Sequence, residues 1–391
     1  MKLHRILALA VIRALEATFS QGEVTSRALD KEFAANPKWG KRDRSFVAET
    51  TYEIVRWRRR LEHAAQSDEL WGLLAAQIVR SGLELPEWDE LSPFDAAQIA
   101  ARLEADDLPR AIRESIPDWL DELGAKEFGA RWDAEIGALN EEAPVVLRTN
   151  TLKITRDALA SRLQADGIET ETLDQLPDAL QLQTRSSISR HALYKDGFFE
   201  FQDAASQLVA PYLRVEVGQK ILDACAGAGG KSLHIAARIR NRGHIVACDI
   251  APEKLLELRR RASRNGISIL ETKSPQTLEA HGQSFDRVLI DAPCSGTGTL
   301  RRQPDLKWRL SPDFLLQVEA AQREILLTYA PMLRSGGFLV YATCSILPSE
   351  NERQIKWFTS QNSGWVLEEQ RAVSTAQTGF DGFFMARLRR R

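Results

Sequence analysis

Sulfur is scarce in this chain: 391 residues hold four cysteines and three methionines. The cysteines, at 225, 248, 294 and 344, are separated by 23, 46 and 50 residues. Those gaps fit neither a zinc knuckle nor a Cys-x-x-Cys redox pair, so no metal site is expected. Free thiols in a reducing compartment are the default, and a lone cysteine is on base rates a small buried hydrophobe. Long apolar runs are missing too. Nothing approaches the roughly 20 residues that a membrane helix needs. The first residues resemble a leader, but Arg13 and Glu16 interrupt them, while Leu3, Ile6, Leu7, Ala10, Val11, Ala14 and Leu15 recur at helical spacing. An amphipathic helix and a cytoplasmic protein are expected, with no membrane partner.

A charge of one sign is lacking as well: the net is -2. That excludes a global positive field, so any nucleic-acid contact must come from local patches. The balance is uneven. Residues 1–65 hold 13 Lys/Arg against 8 Asp/Glu, whereas residues 66–143 hold 6 against 19. Basic patches are Arg56-Trp-Arg-Arg-Arg60, Arg238 to Arg242, Arg259-Arg-Arg261 and Arg301-Arg302. Taken singly, each reads better as a solvated helix face than as a binding surface.

Three textures follow one another. Up to about residue 130, apolar residues recur every three or four positions over 3–17, 44–61, 69–80 and 95–104, which predicts an all-helical region. From Pro144 the pattern becomes mixed. Strands are expected at 145–147, 168–173, 180–182 and 198–201, with a helix over 156–166. From Gly218 strands and helices alternate, with strands at 221–224, 245–249, 287–291, 338–342 and 382–388 and helices at 253–265 and 314–332. Such alternation predicts a doubly wound parallel α/β sheet with ligands at the carboxyl ends of its strands.

Two stretches carry chemistry. Asp223-Ala-Cys-Ala-Gly-Ala-Gly-Gly-Lys231 lies between a strand and a helix, and its glycines at 227, 229 and 230 let the backbone approach a ligand. Asp249 ends the next strand, where a carboxylate accepts from ribose hydroxyls. Together they predict nucleoside binding without separating NAD from S-adenosyl-L-methionine. The second stretch, Phe285 to Gly298, delivers Asp291, turns at Pro293 and exposes Cys294 at a strand end. Tyr341-Ala-Thr-Cys-Ser345 repeats the arrangement with Cys344. Two strand-end thiols suit methylation of pyrimidine carbon 5. That atom becomes nucleophilic only after a thiolate has added to carbon 6. Methylation of an exocyclic amine needs no thiol. The residues alone do not decide which cysteine attacks.

These motifs resemble the RsmB/Sun family of RNA cytosine-5 methyltransferases over roughly Arg148 to Leu388. The similarity includes Leu147-Arg-Thr-Asn-Thr-Leu-Lys153, the glycine turn ending in Lys231, Asp-Ala-Pro-Cys-Ser-Gly, Arg302-Gln-Pro-Asp-Leu-Lys-Trp308, Thr-Cys-Ser with Glu350-Asn351, and Asp381-Gly-Phe-Phe. The resemblance implies that Cys344 attacks the base, that Cys294 assists product release, and that Lys231 and Asp291 line the site. It further implies S-adenosyl-L-methionine as cofactor, held by Cys225, Ala226, Gly227, Ala228, Gly229, Gly230, Lys231, Asp249, Asp291 and, as a substitute for a missing third-strand aspartate, Glu271. Two departures stand out. Gly227-Ala228 occupies the place of the family's Ala-Pro, and Glu271 that of its aspartate.

The implied architecture is a seven-stranded class I methyltransferase domain over 213–391. An RRM-like module over 140–212 and a helical NusB-like RNA-binding domain over 1–135 precede it. RNA is the implied partner, ribosomal RNA favoured on the strength of the N-terminal resemblance and transfer RNA left open, with the chain a monomer. Two rivals remain: an NAD-dependent oxidoreductase, which leaves both thiols idle, and a non-catalytic assembly factor, which would not need Lys231, Asp291, Cys294 and Cys344 together.

Overall fold

The computed structural model describes residues 3–184, 188–278 and 284–391. Packing divides the chain into two units, Met1–Glu141 with Leu300–Pro312, and Glu142–Thr299 with Asp313–Arg391.

The first unit is helical. Its longer helices are α1 (Arg5–Phe19), α2 (Thr25–Ala35), α3 (Lys41–Ala65), α4 (Leu70–Arg80) and α5 (Ala96–Leu103). Leu7, Val11, Ala14 and Leu15 of α1 are buried, as their spacing predicts, and they share a core with Ile54, Leu61, Leu73 and Leu74. At Trp57 the dihedrals of α3 leave the helical region (φ -108°, ψ 21°). A kink of this kind orphans main-chain groups that must find other partners. The Val55 carbonyl would otherwise accept from the Arg59 N–H. Instead it accepts from the Trp308 indole at 2.7 Å, and the Arg59 N–H donates to Ser115 Oγ at 2.9 Å. Lys307 is fully buried, and its ammonium donates to the carbonyls of Arg56 (3.1 Å), Glu114 (3.3 Å) and Ser115 (3.2 Å) and to Asn140 Oδ1 (2.5 Å).

Residues 300–312, which the sequence places within the sheet domain, pack instead with the helices, because Lys307 and Trp308 supply what the kink lacks. Nor is the basic cluster at 56–60 a solvated helix face. Arg56 donates to the Arg301 carbonyl, Arg58 pairs with Glu62, Arg59 with Asp118, and Arg60 donates to the Leu103 carbonyl. These guanidiniums tie helices together.

The second unit holds two sheets. The smaller has order β2-β3-β1-β4 and is antiparallel throughout, with β1 (Val146–Thr149), β2 (Thr170–Leu173), β3 (Leu176–Leu182) and β4 (Phe199–Phe201). Its core takes Leu147, Leu180 and Phe199 together with Leu159 and Leu163 of the helix Arg156–Ala165. The larger has order β10-β11-β9-β8-β5-β6-β7. Its strands are β5 (Lys220–Asp223), β6 (His244–Cys248), β7 (Leu270–Lys273), β8 (Phe285–Asp291), β9 (Leu333–Thr343), β10 (Trp365–Val373) and β11 (Phe383–Arg390). Strands β5 to β9 run parallel, and β11 is antiparallel to both its neighbours. Register places Asp223 opposite Leu289 and Ala247, and Asp291 opposite Ala342. The carboxyl ends of β9, β8, β5 and β6 therefore line one edge of the sheet.

Candidate functional site

The glycine turn leaves β5 and enters the helix Gly230–Arg238. Gly227 and Gly229 have φ of +54° and +86°, a region that favours glycine, and a Cβ on Gly229 would meet Leu258 at 2.5 Å. Asp249 follows β6, and its Oδ2 accepts from the Gly227 N–H at 2.8 Å while Oδ1 accepts from the Ala251 N–H at 2.9 Å. Those bonds use two of about four acceptor positions on a carboxylate, leaving capacity for a pair of hydroxyls. The turn is pinned from the other side too. Arg261 donates to the Ala228 carbonyl at 2.7 Å and Arg148 to the Gly230 carbonyl at 2.6 Å. Arg261 is itself held by the buried Glu200. Stiffness that proline would give is supplied here by two guanidiniums.

Ile250, directly after Asp249, is 86% exposed. A large apolar side chain left in water beside a polar turn is suited to the face of a flat ring. Sequence reasoning missed it, because no periodicity marks a single residue past a strand end. Glu271 is not brought to the turn. It sits mid-strand, level with Val246, and its carboxylate pairs with Lys273 and with His244, the first residue of β6. Cys225, within the turn, is half-buried, and desolvation pushes its pKa well up.

Asp223 lies beneath the turn, buried, with Oδ2 accepting from Ser232 Oγ at 2.6 Å and Oδ1 unmatched. Burial raises its pKa from 3.8 to about 7. Asp291 and Asp249 add to the rise, against Ser232 and Lys231. A carboxyl with a raised folded-state pKa contributes stability that is full below about pH 4 and lost as pH climbs through 7. Asp223→Asn is therefore expected to gain stability over the parent by up to about 4 kcal/mol between pH 4 and pH 7.5. Urea unfolding at several pH values checks this; a difference that does not vary with pH would sink it.

The two expected cysteines meet. β8 and β9 are adjacent, and Cys294 Sγ lies 3.3 Å from Cys344 Sγ. Lys231 Nζ donates to Asp291 Oδ2 at 2.6 Å and lies 5.2 Å from the Phe383 ring centre. Burial opposes the Lys231 ammonium, but Asp291 and the Cys344 sulfur more than offset that, and its pKa is raised. The Cys294 thiol is driven well above its usual value, first by its hydrogen bond to Cys344, then by burial and by the charges of Cys344 and Glu350. Cys294 thus holds its proton more tightly than an ordinary thiol, while Cys344 has the Cys294 sulfur and the Lys231 ammonium near it.

Main-chain bonds close the site. The Gly298 N–H donates to the Cys344 carbonyl and the Gly382 N–H to the Gly298 carbonyl, both at 2.9 Å. A Cβ on Gly298 would lie 1.9 Å from the Gly382 carbonyl oxygen, so only glycine allows this approach. The site joins a nucleoside-sized turn, a carboxylate for hydroxyls, an ammonium–carboxylate pair and two thiols on neighbouring strand ends.

The chain is similar to known proteins. Residues 210–389 match a family described as 16S rRNA methyltransferase RsmB/F, and residues 116–189 match the ferredoxin-like domain of RsmF/B-like methyltransferases. Ribosomal RNA small subunit methyltransferase B of Vibrio cholerae is 36% identical over 288 residues, covering 71% of this chain and 66% of that protein. Its counterpart in Proteus mirabilis is 34% identical over 279 residues, covering 70% and 66%. The chain thus spans just under two thirds of the length of these curated relatives. A solved methyltransferase homolog from Pyrococcus horikoshii superimposes with a TM-score of 0.65 at 26% identity, covering 72% of this chain and 98% of the other.

Proposed function

The chain belongs to the RsmB/F methyltransferase family, and from that premise we propose that it methylates carbon 5 of a cytosine in RNA. The observation that carries this reading is the pair of thiols 3.3 Å apart at the ends of adjacent parallel strands. The donor is S-adenosyl-L-methionine, which when bound supplies an electrophilic methyl group. Its nucleoside fits the residues present. Asp249 has acceptor capacity for ribose hydroxyls, the Gly227–Gly229 turn lets the backbone come close, and Ile250 offers an apolar face to the adenine.

In this mechanism the Cys344 sulfur adds to carbon 6 of the flipped-out base and makes carbon 5 electron-rich. Asp291 accepts a hydrogen bond from the ring edge, and Lys231 holds that carboxylate in place. After methylation the carbon 5 proton passes to water, and the electron pair it leaves behind expels the Cys344 sulfur from carbon 6 and restores the ring. Cys294 donates its S–H to the departing Cys344 thiolate and so lowers the barrier to release. Small-subunit ribosomal RNA is the favoured substrate, since the relatives in Vibrio cholerae and Proteus mirabilis are methyltransferases of that RNA by name. An unpaired segment suits a base that must leave its stack.

Cys294→Ala should therefore trap a covalent protein–RNA complex. Incubated with cofactor and small-subunit RNA, the variant is expected to run as a retarded, denaturant-resistant species. Full turnover with no such species would refute the release role.

A further inference from the structure

Glu350 is fully buried, and the donors that meet it are neutral. Its carboxylate accepts from the Ser295 N–H at 2.7 Å, from Ser295 Oγ at 2.6 Å, from Ser345 Oγ, and from Gln322 Nε2 at 3.1 Å. Gln322 Nε2 also reaches the Pro293 carbonyl at 2.9 Å. The residues on both sides of Cys294 are thus fixed through this carboxylate. On the other turn, Ser345 follows Cys344 directly, Thr343 precedes it and donates to Asn351 Oδ1, and Asn351 Nδ2 donates to the Ser345 carbonyl. Thr297 Oγ1 lies 3.0 Å from Ser345 Oγ and closes the cluster. A buried carboxylate is costly, and packing alone would be served as well by a neutral residue of the same size.

We infer that Glu350 is a positioning residue that locks the Cys294 turn to the Cys344 turn and presents a buried negative charge to one side of the thiol pair. The inference rests on the proposed two-thiol chemistry. Geometry gives the first half, since one side chain bonds to the residue after each cysteine. The second half follows from distribution. Glu350 is among the groups that raise the pKa of Cys294. Its charge adds to the hydrogen bond to Cys344 and to burial, which act first to hold the proton on Cys294.

The test compares Glu350→Gln, of equal size without charge, with Glu350→Asp, which keeps the charge. Two measurements are made on the full chain. One is methyl transfer to small-subunit RNA, separated into kcat and KM. The other is the pH profile of iodoacetamide labelling of Cys294 and Cys344, read by peptide mass spectrometry without RNA. Glu350→Gln should lower kcat about 100-fold with KM for RNA within about threefold. Its Cys294 labelling profile should move to lower pH, while Glu350→Asp leaves that profile in place. An unmoved Cys294 profile, or a kcat within twofold of the parent, overturns the role. If Glu350→Gln does not fold, Glu350→Asp decides: equal shifts at both thiols, or a loss confined to KM, would mean a purely structural residue. Failure of the parent to methylate RNA would refute the proposed function instead, while the labelling arm would still report on Glu350.

Discussion

Cys344→Ala is expected to lose methyl transfer by roughly 10⁴-fold or more, with binding of cofactor and RNA almost unchanged. The size follows from the chemistry. Carbon 5 of cytosine does not attack a methyl donor until a nucleophile has added to carbon 6, so no weaker route takes over when the sulfur is gone. Cys294, 3.3 Å away, is a poor replacement: its proton is held first by the hydrogen bond to Cys344, and with that bond removed burial and the Glu350 charge still act on it. The measurement is transfer of labelled methyl to RNA, with isothermal titration for binding. Activity within tenfold of the parent would rule out Cys344 as nucleophile. In Cys294→Ala/Cys344→Ala the trapped complex of the single Cys294 variant should vanish, which tells a specific adduct from a chance cross-link.

Lys307→Met should destabilise the helical unit by about 3 kcal/mol, the cost of leaving buried neutral acceptors without their donor, offset in part because burial already works against the ammonium. Methionine preserves most of the volume, so a cavity is not the cause. The loss comes from the carbonyls of Arg56 and Ser115 and the amide oxygen of Asn140, which lose this donor where water does not reach, and from the Glu114 carbonyl, which keeps only the Asn140 amide. Hydrogen exchange in the second half of α3 should rise most, since the kink at Trp57 is where the support is lost. A change below about 1 kcal/mol would mean that those carbonyls find other partners.

What could be read in the sequence follows burial. β8 and β9 are covered on both faces, so Val288-Leu-Ile290 and Leu339-Val-Tyr-Ala342 appear as continuous apolar runs, and their ends placed Cys294 and Cys344 correctly. The edge strands β7 and β10 escaped notice because Leu-Glu-Thr-Lys and Val-Leu-Glu-Glu-Gln-Arg face water over much of their length. The helix Glu352–Gln361 buries little beyond Ile355 and Phe358, too few to mark a period. Glu271 misled because counting along the chain does not say which end of a sheet a mid-strand carboxylate turns to. The arginines at 56–60 misled for a related reason: composition counts charges but does not say that each guanidinium has a carbonyl or carboxylate waiting inside the fold. Glu350 stood in plain view within a motif, but its role depends on Ser295 and Gln322, 55 and 28 residues away.

The kinked helix also imposes an order on synthesis. A chain leaves the ribosome amino end first, and helical segments tend to form as they emerge. Here the helices through residue 141 are made about 160 residues before the Lys307–Trp308 pair that completes them. Until then the Val55 and Arg56 carbonyls must rely on water, and α3 has no reason to bend as it does in the finished protein. By the time Lys307 arrives, β8 and the turn bearing Cys294 have already been translated. The last fastening of the amino-terminal helices is thus deferred until the first of the two thiols exists, and a nascent chain interrupted before that point carries a helical unit that cannot close.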